Sequence, residues 1–109
     1  MPRGYTEAMI QKVLAANPEN LGTHLGQLCI RANLTPKGIC EVLGVQRATL
    51  RFWFLGGKIC KDVWKVKEVM RIIKDDLAVG CLPVVKRYDA KVYLADLKAF
   101  MDVATPPTE

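Results

Sequence analysis

Two short apolar-patterned stretches joined by a single glycine, Gly44, constrain this chain more than any other feature. Upstream, Thr35 stands directly before Pro36, so a hydroxyl N-cap precedes the residue best shaped for a first helical position. Ile39, Cys40 and Leu43 follow at helical spacing. Gly44 then falls where a helix ends most cheaply in the left-handed region. Downstream, Gln46 to Phe54 predicts a second short helix, closed by Gly56-Gly57. Two such helices joined by a tight turn must cross steeply, and Ile39, Leu43, Val45, Leu50 and Trp53 are spaced to meet inside the crossing. Cys40 lies at their closest approach, where a side chain has to be small. Gln46, Arg47, Ala48 and Arg51 are left pointing outward. A protruding helix with long hydrogen-bonding groups at its N-terminal end is suited to the major groove of duplex DNA.

The flanking sequence is helical in pattern. Thr6 is placed to cap a first helix whose Met9, Ile10, Val13 and Leu14 share a face. Asn17-Pro18 ends it and opens a second, with Leu21, Leu25, Leu28, Cys29 and Ala32 as its apolar stripe and Asn33 as its stop. Asp62 caps a longer helix with Val63, Val66, Val69, Met70, Ile73 and Leu77 inward and Lys65, Lys67, Arg71 and Lys74 largely outward, closed by Gly80. Leu82 to Val85 is extended. Beyond it, Asp89 can cap a helix through Met101 with Tyr93, Leu97 and Phe100 on one face. The alternative pairs Val84–Tyr88 with Lys91–Leu94 as a hairpin, or wing, around Asp89-Ala90. The helix is favoured because Asp-Ala is a poor primed-turn pair. The expectation is an all-α, single-domain bundle of five to six helices, with the short C-terminal hairpin as the open alternative. Its parts are an N-terminal helix (1–20), a core (21–79), a C-terminal packing or dimerisation segment (80–103) and a loose tail (104–109).

Charge is unevenly distributed. From Arg31 to Lys74 there are ten Lys/Arg against three acids, a balance of +7 in a chain whose total is +5, which leaves −2 elsewhere. One basic segment in an otherwise slightly acidic chain suits a polyanion, although a solvated positive helix face accounts for the charge equally well. Cys29, Cys40, Cys60 and Cys81 form no Cys-x-x-Cys pair, and no cysteine lies within a turn of His24, the only histidine. Reduced, buried thiols are therefore expected rather than a metal site or disulfides. No apolar run has the length of a membrane span, and Met1 to Tyr5 does not open a signal peptide, so a cytoplasmic, reducing location is expected. No catalytic triad, paired-carboxylate cluster or phosphate-binding glycine loop stands out, and Gly56-Gly57-Lys58 lacks P-loop spacing. Neither an enzyme nor a cofactor is expected.

In its small residue Cys40, then Gly44, Val45, Leu50, Trp53 and Gly56, with a helix before the motif and one after, Leu21 to about Leu77 resembles the Cro/C1-type (XRE-type) helix-turn-helix domain of phage and bacterial repressors. The resemblance covers roughly half the chain. It implies Gln46, Arg47, Ala48 and Arg51 as base contacts and Thr35, Lys37, Thr49, Lys58 and Lys61 as phosphate contacts. Cys40, Gly44, Leu50 and Trp53 then form the structural core of the motif. Two positions depart from the family pattern. Pro36 stands where a glutamine often contacts phosphate, with Lys37 as a substitute charge. Phe54-Leu55 replaces a polar or charged pair, which implies burial against another element or another chain.

Two functions follow from this reading: a transcriptional regulator bound to double-stranded DNA as a homodimer, or an adapter using the same fold to bind a protein such as a polymerase or replication factor. The apolar Phe54, Leu55, Tyr93, Leu97 and Phe100 exceed what a small domain covers alone and point to a second copy or a protein partner. Lys86, Arg87 and Lys91 would reach DNA only if the wing forms. Trp53 is expected in the core, Trp64 partly buried and His24 on a helix surface.

Overall fold

The structure, a computed structural model, describes residues 5–59, 62–83 and 87–105, with 87 and 88 as backbone only. Among the described residues six helices follow one another: α1 (Glu7–Ala15), α2 (Leu21–Arg31), α3 (Pro36–Leu43), α4 (Arg47–Phe54), α5 (Val63–Val79) and α6 (Arg87–Val103). The described residues contain no strand. The all-α expectation holds.

Local chemistry accounts for most of the boundaries. The Thr6 side chain accepts a hydrogen bond from the Met9 amide and that of Thr35 from the Gly38 amide, each over 3.1 Å, and both caps have extended backbones. Gly44 ends α3 at φ 69° and Gly80 ends α5 at φ 87°, in the left-handed region that glycine enters without steric cost. Asn33 also turns left-handed, at φ 59°, beyond α2. Asp62 differs from expectation. Its backbone is left-handed and its carboxylate caps nothing; instead its carbonyl accepts from Lys65 and Val66. A capping side chain needs the extended backbone that Thr6 and Thr35 have. Pro18 does not open α2 either. It lies inside a turn that brings the Asn20 amide to the Asn17 carbonyl, a position where its fixed φ serves equally well. α2 starts three residues later, at Leu21.

The second helix is the centre of the molecule and packs against α1, α4 and α5. It approaches α4 through small residues. A Cβ on Gly22 would meet the backbone of Trp53, and one on Gly26 would meet the Phe54 ring. Between them, the buried Thr23 hydroxyl donates to the Phe54 carbonyl (3.1 Å) at the open end of α4. Gln27 likewise closes α1 by donating to the carbonyls of Val13 and Ala16. Trp53 and Leu50 are buried, Trp64 and His24 are half-buried, and Phe54, 1% exposed, fills the space opposite Gly26 and Val13. Of the expected burial against another element or another chain, Phe54 takes the first, while Leu55 remains 41% exposed, so the two do not act together as a surface for a partner.

The C-terminal segment is the helix α6, and Lys91–Leu94 lies within it, so the wing pairing does not form. This helix packs chiefly on α3 and more lightly on α5. Its buried stripe is Ala90, Leu97 and Met101, with Leu94 half-buried, rather than Tyr93, Leu97 and Phe100. Covering two helices rotates the inward face, which leaves Phe100 47% exposed and Tyr93 half-buried, its hydroxyl donating to Asp76 over 2.6 Å. Cys29 and Cys40 are buried free thiols as expected, but Cys81 is exposed, because it stands in the turn after Gly80 rather than on a helix face. Cys60, Lys61, Lys86, the side chain of Arg87 and residues 106–109 lie outside the described residues.

Candidate nucleic-acid interface

The sequence between Gly44 and Phe54 sets one helix in a fixed attitude. Gly44 and Val45 both donate to the Cys40 carbonyl, so the chain leaves α3 in a single tight turn and enters α4 two residues later. Leu50 and Trp53 then anchor α4 from below, and the Thr23 hydroxyl holds its last turn. Gln46, Arg47, Ala48, Thr49 and Arg51 remain exposed along the helix. Gln46 occupies the N-cap position but makes no side-chain cap, so its amide is available.

Arg47 and Arg51, one turn apart, lie on the same face of α4. This face does not stand clear of the molecule as a freely protruding helix would. It forms one bank of a groove of about 450 Å³ whose other bank is Tyr5, Thr6 and Met9 at the start of α1, with Pro36 at one end and Leu50 on the floor. The Tyr5 hydroxyl donates to the Leu34 carbonyl (2.7 Å), which fixes the far bank against the turn before α3. Burial pushes the Tyr5 phenol far above its ordinary range, so it stays a donor. Burial also raises the Cys40 thiol under the turn, with the Arg47 charge opposing the shift and Glu41 adding to it. Cys40 is thus a small packing group and not a thiolate.

The base-contact candidates Arg47, Ala48 and Arg51 share this groove, whereas Gln46 does not line it. Of the phosphate candidates, Lys37 and Thr49 are exposed, as is Lys58 beyond the end of α4. Thr35 is half-buried and its hydroxyl oxygen is engaged as the α3 cap. Lys61 lies outside the described residues. Sequence reasoning missed the bank formed by α1 and the small residues of α2 that seat α4. The only signal for the latter is the spacing Gly22, Thr23, Gly26, three small residues on one helical face.

Among the described residues, no three His, Cys, Asp or Glu side chains gather as a metal-ligand set, and no helix is long and apolar enough to cross a membrane. No family model, curated protein or solved structure matches the chain.

Proposed function

We propose that the chain is a sequence-specific, double-stranded DNA-binding transcriptional regulator that places α4 in the major groove. One observation carries this reading: Arg47 and Arg51 are exposed on one face of a short helix, along the groove it forms with the start of α1, and that helix's orientation is fixed by the Gly44 turn and by Leu50, Trp53 and Thr23. An arginine so held can pair in bidentate fashion with the O6 and N7 edge of guanine. Gln46 and Ala48 complete the proposed base-reading set, and Thr35, Lys37, Thr49, Lys58 and Lys61 are the proposed phosphate contacts. The regulator acts as a homodimer in the reducing interior of the cell, with two recognition helices roughly 34 Å apart on successive major grooves.

Titration of Arg51→Ala against a duplex selected from a random pool and against a scrambled duplex, at one salt concentration, tests it. The variant is expected to lose about 1–3 kcal/mol on the selected site and much less on the other. Equal losses on both duplexes would make Arg51 a backbone contact. A parent protein unable to tell the two duplexes apart would remove the reading.

A second reading, a helix-turn-helix adapter for a protein partner, is favoured by the end of α4, where Phe52 is 61% and Leu55 41% exposed. The same titration separates the two, since an adapter shows no sequence preference.

A further inference from the structure

We propose that α6 extends the DNA-backbone surface beyond the helix-turn-helix, with Lys91 and Lys98 gripping the phosphates of the same duplex next to Lys37. This rests on the DNA-binding reading above and adds contacts that the helix-turn-helix resemblance does not reach; Lys91, expected to meet DNA only through a wing, is instead carried to this surface by the helix α6.

The surface follows from how α6 is seated. Gly38, one turn into α3, lets α6 lie close: a Cβ there would stand 2.3 Å from Leu94 Cδ1. With Leu94 set over Gly38, residues three before it and four after it share its side of the helix. These are Lys91 and Lys98, and with Thr35 and Lys37 they line a shallow groove of about 380 Å³ between α3 and α6.

That groove and the one beside α4 both border the start of α3. Pro36 borders the groove that holds Arg47 and Arg51, while its neighbours Thr35 and Lys37 border the groove that holds Lys91 and Lys98. Five cations therefore flank one helical turn, two on one side and three on the other. Among the described residues, Lys37 and Lys91 form no ion pair. Lys98 Nζ is 3.2 Å from Asp102 Oδ2, but both groups are largely exposed, and such a pair is easily exchanged for another anion. Among the described residues, Glu41 is the one acid lining this second groove.

The chemistry favours a polyanion over a small anion. All three lysines are solvent-exposed, so the groove offers a single phosphate little binding energy. A duplex backbone gains from the same charges by releasing condensed counterions, one contact at a time. A backbone passing α4 would meet the first turn of α3 and then the lysines of α6.

The test is the salt dependence of duplex binding, measured for the full chain on the selected duplex with Lys91→Ala, Lys98→Ala and, as a control on α5, Lys74→Ala. Each α6 variant is expected to flatten the slope of log K against log salt by about 0.9, the contribution of one neutralised phosphate. The control is expected to keep the parent slope, and melting curves are expected to match because all three side chains are exposed. Parent slopes in both α6 variants, or an equal fall in the control, would overturn the proposal while leaving α4 as the recognition helix. A parent chain that shows no salt-dependent duplex binding would overturn the underlying DNA-binding reading as well.

Discussion

Replacing Gly22 by alanine tests whether the crossing of α2 over α4 sets the attitude of the recognition helix. A Cβ at this position would lie 2.4 Å from the Trp53 carbonyl oxygen, 2.7 Å from its carbonyl carbon and 2.8 Å from Trp53 Cβ. These atoms belong to the backbone or are bonded to it, so no change of rotamer relieves the overlap. Restoring even a tight contact of 3.0–3.4 Å requires α2 and α4 to separate by about 0.6–1.0 Å. Overpacking of this kind costs about 1–3 kcal/mol. Alanine offsets part of it, since glycine in a helix interior is less favourable by roughly 0.5–1 kcal/mol. A net loss of about 1 kcal/mol, and at most about 2.5 kcal/mol, follows, and each kcal/mol lowers the melting temperature by roughly 4–8 °C in a domain of this size.

Gly26→Ala is the internal comparison. Its Cβ would meet Phe54 Cγ at 2.9 Å and Val13 Cγ1 at 3.0 Å, buried side-chain atoms rather than backbone, so the ring has to shift while the α4 backbone need not. The helix-propensity gain is the same, so this variant is expected to melt below the parent but above Gly22→Ala. Thermal and urea unfolding of both variants, followed by circular dichroism, gives the ranking. A Gly22→Ala protein as stable as the parent, or one more stable than Gly26→Ala, would refute the claim that backbone contact at Trp53 fixes α4. Weaker binding to the selected duplex is expected from Gly22→Ala as well, because the shift moves Arg47 and Arg51 together.

Alkaline pH should destabilise the fold, because burial raises the Cys29 thiol and the Tyr5 phenol above their ordinary 9.0 and 10.0. The folded chain then holds protons that the unfolded chain releases, so these groups add no slope below about pH 9 and stability falls above it, by up to about 1.4 kcal/mol per pH unit for each group. Cys29→Ala should flatten the first part of that fall, and a urea midpoint constant from about pH 8 to about pH 10.5 would contradict it. The proposed homodimer is expected to use the α5–α6 seam, where Phe100 stands exposed beside Ile72 and Tyr93, so Phe100→Ser should lower the sedimentation mass toward one chain. A parent that sediments as one chain at high concentration would shift weight to a different protein partner.

What could be read from the sequence was what is decided locally. Thr6, Thr35 and Gly44 act on atoms within a turn of themselves, so their roles as caps and stop are visible without knowing the fold. The choice of helix over wing after Pro83 was local too, since it turned on the poor turn chemistry of Asp89-Ala90. The outward set on α4 followed from periodicity once Leu50 and Trp53 were assigned inward. Asp62 and Pro18 were misplaced because the same residue types serve equally in a left-handed turn or a β-turn, and only the surrounding chain decides between them.

The fate of Phe54 shows where local reasoning stops. Its neighbours in sequence, Trp53 and Leu55, make a run of large apolar groups that calls for burial against another element or another chain, without saying which. Its real partner is an absence: the missing side chain of Gly26, 28 positions earlier, which leaves room for the ring against α2. Gly22 and Gly38 act in the same way, one admitting the backbone of α4 and the other the Leu94 side chain of α6. None of the three has a positive φ, so none is required by its own backbone, and turn chemistry gives no reason to notice them. Yet they decide how closely α4 and α6 approach the rest of the fold. The groove holding Arg47 and Arg51 and the groove holding Lys37, Lys91 and Lys98 both border helices seated in this way. The cations of the candidate interface could be counted from the sequence, but their grouping depends on where two helices lack a side chain.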